Sequence, residues 1–304
     1  MGSRVNGTLQ ADQFIGSFSD VNPFSRVLYV DGTSGNNKSG FAPDEAFTTL
    51  QLALAASAAG DTFIIAPGTY TMTATFSPLA RQTYKAAVVN QRYPTVSITA
   101  TSALTGDIIS LDVSGTKWVG IEFLAGHANQ ATLVDIADAA DVNGAHFDRC
   151  VFNGADKTTV VGIQADDATF IPTGVLVENC IFRDLTGTIV DIGVLGMPYS
   201  LFQNNLFALD VNSGTVFALA DTTAFATGKG LEIKNNNFLG FDATKDEVAI
   251  TIAGTEDTTA PVLVTNNNFA YFAVAAVTID KVGFATIQNY TGDATGGLLT
   301  DVGT

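Results

Sequence analysis

The sequence predicts an all-β chain wound into a parallel β-helix (a β-solenoid) with an N-terminal capping helix, and three observations carry that expectation. A six-residue motif closing on Phe returns six times along the chain. A short β-branched segment precedes each return. The composition, with 29 Gly and 21 Phe but only 8 Pro, 3 Met and 1 Trp in 304 residues, suits tight turns and stacked aromatics better than long helices.

The motif reads Trp118-Val-Gly-Ile-Glu-Phe123, Phe147-Asp-Arg-Cys-Val-Phe152, Val177-Glu-Asn-Cys-Ile-Phe182, Phe202-Gln-Asn-Asn-Leu-Phe207, Ile233-Lys-Asn-Asn-Asn-Phe238 and Val264-Thr-Asn-Asn-Asn-Phe269. The closing Phe residues are spaced 29, 30, 25, 31 and 31 apart. A period of this size marks stacked supersecondary units, none of which buries its apolar face alone. The β-branched segments begin with Asp107–Asp112, Leu133–Ile136, Val160–Ile163 and Thr188–Ile192, and continue with Thr215–Leu219, Val248–Ile252 and Ala275–Ile279. Two strands and a bend every 25 to 31 residues describe one rung of a parallel β-helix.

The columns of the motif have separate tasks. Column three (Gly120, Arg149, Asn179, Asn204, Asn235, Asn266) suits a left-handed bend. Column four (Ile121, Cys150, Cys180, Asn205, Asn236, Asn267) should point inward, with Asn205, Asn236 and Asn267 forming an amide ladder. Column six is Phe throughout, and Phe207, Phe238 and Phe269 should stack inside. Cys150 and Cys180 share a column one rung apart; parallel side chains make a disulfide torsion awkward, which favours two buried thiols.

Ahead of the rungs, residues 1–26 form a compositionally separate, charge-balanced segment with Arg4, Arg26, Asp12 and Asp20, and with Phe14, Phe18 and Phe24 among Gly, Ser and Asn. A segment of this kind gains order by burying its Phe residues on a partner. Residues 27–80 read as a cap: a strand from Val27, a helix over Asp44–Ala59 and a strand from Asp61. Phe47, Leu50, Leu54 and Ala58 fall on one face of that helix, with Asp44 as its cap and Gly60 as its end. Such a helix would seal the open end of the stack. Residues 81–292 hold the rungs and 293–304 a tail.

Charge and local pattern exclude several classes of function. A formal charge of −16, from 30 acids and 14 bases, opposes nucleic acid. No run of about 18 apolar residues suggests membrane insertion. The N-terminus lacks the apolar centre of a secretory signal. His127 and His146 have no partners at metal-ligand spacing, and no nucleophile elbow, phosphate loop or dinucleotide fingerprint occurs. No cofactor and no metal are expected; Asp107, Asp112, Asp135 and Asp138 could gather on one face but lack a defined calcium loop.

The cap (Tyr29-Val-Asp-Gly32, Ala46-Phe-Thr-Thr-Leu-Gln-Leu-Ala-Leu54 and Gly60-Asp-Thr-Phe-Ile-Ile-Ala-Pro-Gly-Thr-Tyr70) and the Asn-rich rung motif together resemble the pectate-lyase-like superfamily of right-handed parallel β-helices. That superfamily includes polysaccharide lyases, glycosidases and phage tailspikes. The resemblance spans residues 27 to about 292. It implies a right-handed coil, and its spike members imply a homotrimer.

For a lyase the resemblance implies a Lys or Arg base beside a calcium-holding Asp cluster. Arg149 and Arg183 are not in one column and have no such cluster beside them in sequence. For a hydrolase the carboxyl pair to test is Asp148 and Glu178, in one outward column on adjacent rungs, with Asp166 and Asp167 nearby. The remaining members of that column, Gln203, Lys234 and Thr265, read as a solvated face. The expected function is therefore a non-enzymatic structural protein at the surface of a virus particle, a bacteriophage decoration or spike protein. It would attach to a capsid or other virion protein through residues 1–26. The alternative is a tailspike-type hydrolase or lyase, or a spike that binds a surface polysaccharide.

Overall fold

The computed structural model describes residues 25–157, 160–185, 187–193, 195–209, 215–219, 230–240, 248–252, 262–270, 277–279, 285–287 and 290–292. Phe14, Phe18, Phe24 and the tail at 293–304 lie outside them. Three parallel sheets wind around one apolar interior. Sheet A has ten strands, running from Val27–Val30 through Thr62–Ile65, Thr83–Ala86, Lys117–Val119, His146–Asp148, Leu176–Glu178, Leu201–Gln203, Glu232–Lys234 and Leu263–Thr265 to Ala285–Ile287. Sheet B has nine, from Gly68–Met72 to Tyr290–Gly292. Sheet C has seven: Ile109–Leu111, Thr132–Ile136, Val161–Ala165, Val190–Ile192, Thr215–Leu219, Val248–Ile252 and Val277–Ile279.

A full rung thus has three strands rather than the two expected, because column three breaks the motif. Its residues all take positive φ: Gly120 at 68°, Arg149 at 54°, Asn179 at 56°, Asn204 and Asn235 at 57° and Asn266 at 56°. One left-handed residue turns the chain from sheet A into sheet B. Its amide still bonds along the stack, as Asn179 N–H does to Gln203 O at 3.1 Å and Asn235 N–H to Thr265 O at 3.1 Å. The first member must be glycine for a second reason. A Cβ on Gly120 would lie 2.8 Å from both methyls of Val89, which packs over the bend.

The ladder forms as expected and does more than link side chains. Asn205 Nδ2 donates to Asn236 Oδ1 at 3.1 Å, and Asn236 Nδ2 to Asn267 Oδ1 at 3.1 Å. Each Oδ1 also accepts a backbone amide from the rung before: Cys180 N–H to Asn205 (2.8 Å), Asn205 N–H to Asn236 (2.9 Å) and Asn236 N–H to Asn267 (2.9 Å). The remaining amide hydrogens reach Val177 O, Phe202 O and Ile233 O at 2.8–3.0 Å. All three Asn side chains are fully buried, so the left-handed bend's orphaned amides are satisfied without water. The thiols continue the column as free, buried cysteines. Cys180 Sγ lies 3.2 Å from Glu178 O and 3.6 Å from Phe147 O, and Cys150 Sγ 3.5 Å from Trp118 O and 3.6 Å from Asp148 O, so each thiol has an acceptor in its own rung and one in the rung before. Burial beside Cys150 holds the Cys180 thiol well above its ordinary pKa.

Column six stacks rung on rung. Centroids of Phe152 and Phe182 are 4.4 Å apart, Phe182 and Phe207 4.7 Å, Phe207 and Phe238 4.8 Å, and Phe238 and Phe269 4.7 Å, with interplanar angles of 3° to 16°. A second aromatic column on sheet A stacks Phe63, Tyr84 and Trp118 at 4.6 and 4.1 Å.

The cap helix is shorter than the sequence suggested. It covers Leu50–Ala56, capped by Thr49, whose side chain accepts from Leu52 N–H. Pro43–Glu45 forms a separate 3₁₀ turn, so Asp44 is not the helix cap. Between them Phe47 is extended and bridges Val30, with Asp31 N–H donating to Phe47 O and Phe47 N–H to Tyr29 O. Backbone pairing to the first strand outweighs helix propensity there. Leu50 and Ala53 are the buried helix residues, Leu54 is half-buried and Ala58 is exposed.

Two substitutions test this interior. Phe238→Ala should cost about 3–5 kcal/mol in denaturant melts, because the sites above and below cannot collapse into the gap. Asn236→Leu should destabilise by at least about 2 kcal/mol despite its apolar bulk, since Asn205 loses the acceptor of both its amides and Asn267 Oδ1 loses the side-chain one of its two donors.

Candidate functional site

Asp148 and Glu178 do face each other in register on the outer surface of sheet A. Both are already engaged. Arg149 Nε and Nη2 donate to Asp148 Oδ2 at 3.0 and 2.7 Å, and Asn179 Nδ2 donates to Oδ1 at 3.2 Å. His146 Nε2 lies 3.0 Å from Glu178 Oε1, and Gln203 Nε2 donates to Oε2 at 2.9 Å. Burial and Lys117 hold the His146 pKa below its ordinary value, against the pull of Glu178. The network ties three rungs of sheet A together. Arg183 sits on sheet B, 3.0 Å from Glu122, which also accepts from Asn153 Nδ2 at 2.9 Å. His127 is fixed by Leu104 O and by the amide of Asn129.

A different group of carboxyls gathers on sheet C. Register places Ser110, Asp135, Gln164 and Asp191 in one outward column. Asp112, Asp138 and Asp166 follow the C-terminal ends of successive strands of the same sheet, and Asp107 precedes its first strand. The gathering of Asp107, Asp112, Asp135 and Asp138 is as the sequence suggested. Asp166 was expected beside Asp148 and Glu178 and instead belongs here, while Asp191 was not anticipated. The column mixes three residue types at unequal spacings of 25, 29 and 27, so only alignment of the β-branched strands by their inward residues could have found it.

Most polar groups of this face are partnered. Asp112 accepts from Ser110 Oγ and from Ala139 N–H, both at 2.7 Å. Thr132 Oγ1 donates to Gln164 Oε1, and Gln164 Nε2 donates to Asp166 Oδ1 at 2.9 Å. Asp135 differs. It is only 7% exposed, and no donor among the described residues hydrogen-bonds its carboxylate. Burial, then Asp107, Asp138, Asp166 and Asp112, push its pKa up to about 7. Burial also raises Asp107, helped by Asp138 and Asp166. Burial and then Asp166 raise Asp191. At neutral pH this face therefore combines a carboxyl that can give up a proton with others that can take one. Among the described residues no three His, Cys, Asp or Glu side chains are disposed to hold a metal ion. A cavity of about 230 Å³ lies elsewhere, under the cap between Tyr29, Asp31, Pro43 and Lys85, and has no carboxyl cluster.

Comparison with known proteins bears on the coil. No family model and no curated protein sequence matches the chain. Solved structures do. A pectin methylesterase from Aspergillus niger superposes with a TM-score of 0.63 at 15% identity, over 91% of this chain and 88% of its own. A rhamnogalacturonan lyase gives 0.55 at 15% identity over 90% and 75%. The pectate lyase Pel9A gives 0.52 at 12% over 89% and 78%. The fold is the right-handed parallel β-helix. Identities this low speak for the fold alone, and function has to be argued from the site.

The unpartnered carboxyl makes stability depend on pH. Asp135 has a folded pKa of about 7 against an unfolded value near 3.9, so the folded state holds the extra proton between them. Stability from this group is fully present below pH about 4 and is lost as pH rises through about 7. Asp135→Asn should therefore melt above the parent protein at mildly alkaline pH, with the gap closing as pH falls towards about 4. An equal gap at every pH would place no titration at Asp135.

Proposed function

We propose that this chain is a particle-borne, carbohydrate-active β-helix that cleaves a surface polysaccharide across the outer face of sheet C, with Asp135 as general acid and Asp191 as general base. The observation that carries this reading is Asp135, a residue only 7% exposed with no hydrogen-bond donor to its carboxyl among the described residues, poised to be protonated near neutral pH. Asp191 lies two rungs along the same column, about 9.5 Å away at the usual strand spacing. That is the upper end of the separation for inverting hydrolysis, which leaves room for one water between the carboxyls. Asp135 would pass its proton to the glycosidic oxygen as the C–O bond breaks. Asp191 would take a proton from the water that attacks the anomeric carbon from the opposite face. Gln164, between them, would orient that water or a sugar hydroxyl.

Attachment to a virion follows from a separate observation, the charge-balanced, Phe-bearing composition of residues 1–26 ahead of an acidic body. We infer that this arm docks on a capsid or other virion protein, and that the body stands at the particle surface as a homotrimer. The non-enzymatic decoration reading keeps the arm and drops the chemistry. The hydrogen bonding of Asp148 and Glu178 favours it only for sheet A.

Two experiments test these assignments. Incubation with host-surface polysaccharides should release new reducing ends. Asp135→Asn and Asp191→Asn should each lower the rate by about 10²–10⁴, while the pair Asp148→Asn with Glu178→Gln should leave it unchanged. Loss of cleavage in the sheet A pair, with folding preserved, would move the chemistry to that pair, and no cleavage of any polysaccharide would leave the decoration reading. Deleting residues 1–24 should leave a folded β-helix that no longer co-sediments with particles. Unchanged stoichiometry would put the interface on the acidic body.

A further inference from the structure

The three sheets each begin at the N-terminal end of the coil with a strand whose outer edge has to be paired or covered. Sheet A is closed there. Tyr29 N–H donates to Gly40 O and Asp31 N–H to Phe47 O, both at 2.8 Å, and Phe47 N–H donates to Tyr29 O at 2.9 Å. Sheet C is closed by one residue, since Phe76 N–H donates to Ile108 O at 2.9 Å and Ser110 N–H to Phe76 O at 3.1 Å.

Sheet B is left open. Its first strand, Gly68–Met72, pairs only with Val96–Ala100. Gly68 N–H donates to Thr95 O at 2.8 Å and Met72 O accepts from Thr101 N–H at 2.9 Å. The alternation of a parallel ladder therefore turns the backbone of Thr69 and Thr71 to the other side. There neither residue has a backbone partner among the described residues. Both threonines are exposed, and the strand carries no charge and no proline to discourage pairing. The cap helix reaches this edge with Gln51, whose Nε2 lies 3.0 Å from Met72 Sδ, and the next residue, Leu52, is 44% exposed. An uncharged edge beside an exposed leucine suits an extended apolar segment.

The chain has such a segment within reach. Residues 1–24 join the coil at Ser25, whose Oγ is 3.1 Å from Thr62 Oγ1 on sheet A. The coil runs from sheet B past sheet C to sheet A, so the residues that precede Val27–Val30 come from the sheet C side and, before that, from sheet B. In the first turn Gly68–Met72 starts fifteen residues before Thr83–Ala86, the next strand of sheet A. The same step back from Val27 falls on Asp12 and sets Phe14 level with Tyr70. Tyr70 belongs to column six, through Ile98 to Phe123, so Phe14 keeps the aromatic character of that column.

We infer that residues 12–16 add to sheet B as a parallel strand on the open edge of Gly68–Met72, with Phe14 on the inner side against the cap helix. Sheet B then begins level with sheet A. The inference is independent of the glycan reading and leaves Phe18 and Phe24 of the arm for a particle.

Amide hydrogen exchange on the full chain tests it at Thr69 and Thr71. Both N–H groups should exchange at least about a hundredfold more slowly in the parent protein than in Phe14→Pro, which removes a backbone donor from the added strand. Asn6→Pro, outside that strand, should leave them as slow as in the parent. The Tyr70 amide, on the side of Val96–Ala100, should stay slow in all three proteins and reports that the coil is folded. Fast exchange of both threonine amides in the parent would overturn the inference. Protection that survives Phe14→Pro would overturn it by giving the edge to another group, and protection that falls on dilution would do so by giving it to a second copy.

Discussion

The structure depends on one backbone constraint repeated in the six rungs that carry the motif: a single residue in the left-handed region, from Gly120 to Asn266, turns the chain between sheets A and B. That conformation leaves amides at the bend that neither flanking strand can satisfy. In rungs closed by Asn205, Asn236 and Asn267, the next rung's side chain accepts them, so the bend is completed only by stacking. Each rung supplies the hydrogen bonds that its predecessor lacks. The Phe column then follows, since one-for-one register places ring on ring at 4.4–4.8 Å. Where the column holds Cys150 and Cys180 the thiols can donate to carbonyls of the rung before, as the Asn Nδ2 groups do, but they offer no side-chain oxygen to its amides.

Rigid stacking has an electrostatic consequence on the outer surface. Side chains in one column cannot move apart, so carboxylates placed on sheet C stay close together and partly out of water. Burial contributes most to the raised pKa of Asp135, and the neighbouring aspartates add to it. Sheet A carries acids too, but each meets a donor: Arg149 and Asn179 for Asp148, His146 and Gln203 for Glu178. The same scaffold thus makes a neutralised, structural face and a strained, chemically available one. The difference lies in the partners rather than in the number of acids.

What could be read in the sequence was what repeats. Column six is Phe throughout and columns three and four settle on Asn in the later rungs, and all three behave as their chemistry suggests. The third strand per rung was hidden because a six-residue motif looks continuous until one of its residues is known to be left-handed. The helix start was misplaced because Phe47 pairs with Val30, a tertiary contact that helical periodicity cannot reveal. The sheet C site was half visible. Asp107, Asp112, Asp135 and Asp138 stood out as acids within a short stretch, whereas Asp191 enters only through register across two further rungs. Composition alone gave the acidity of the chain without saying which face concentrates it.

Asn side chains of one rung complete the backbone of the rung before. Amide hydrogen exchange under native conditions measures it directly, at the N–H groups of Cys180, Asn205 and Asn236. These amides should exchange only with global unfolding, as slowly as the strand amides around them. In Asn236→Ala the Asn205 amide should become fast while that of Asn236 stays protected by Asn267. Fast exchange of all three in the parent protein, or an unchanged Asn205 amide in the variant, would contradict the account.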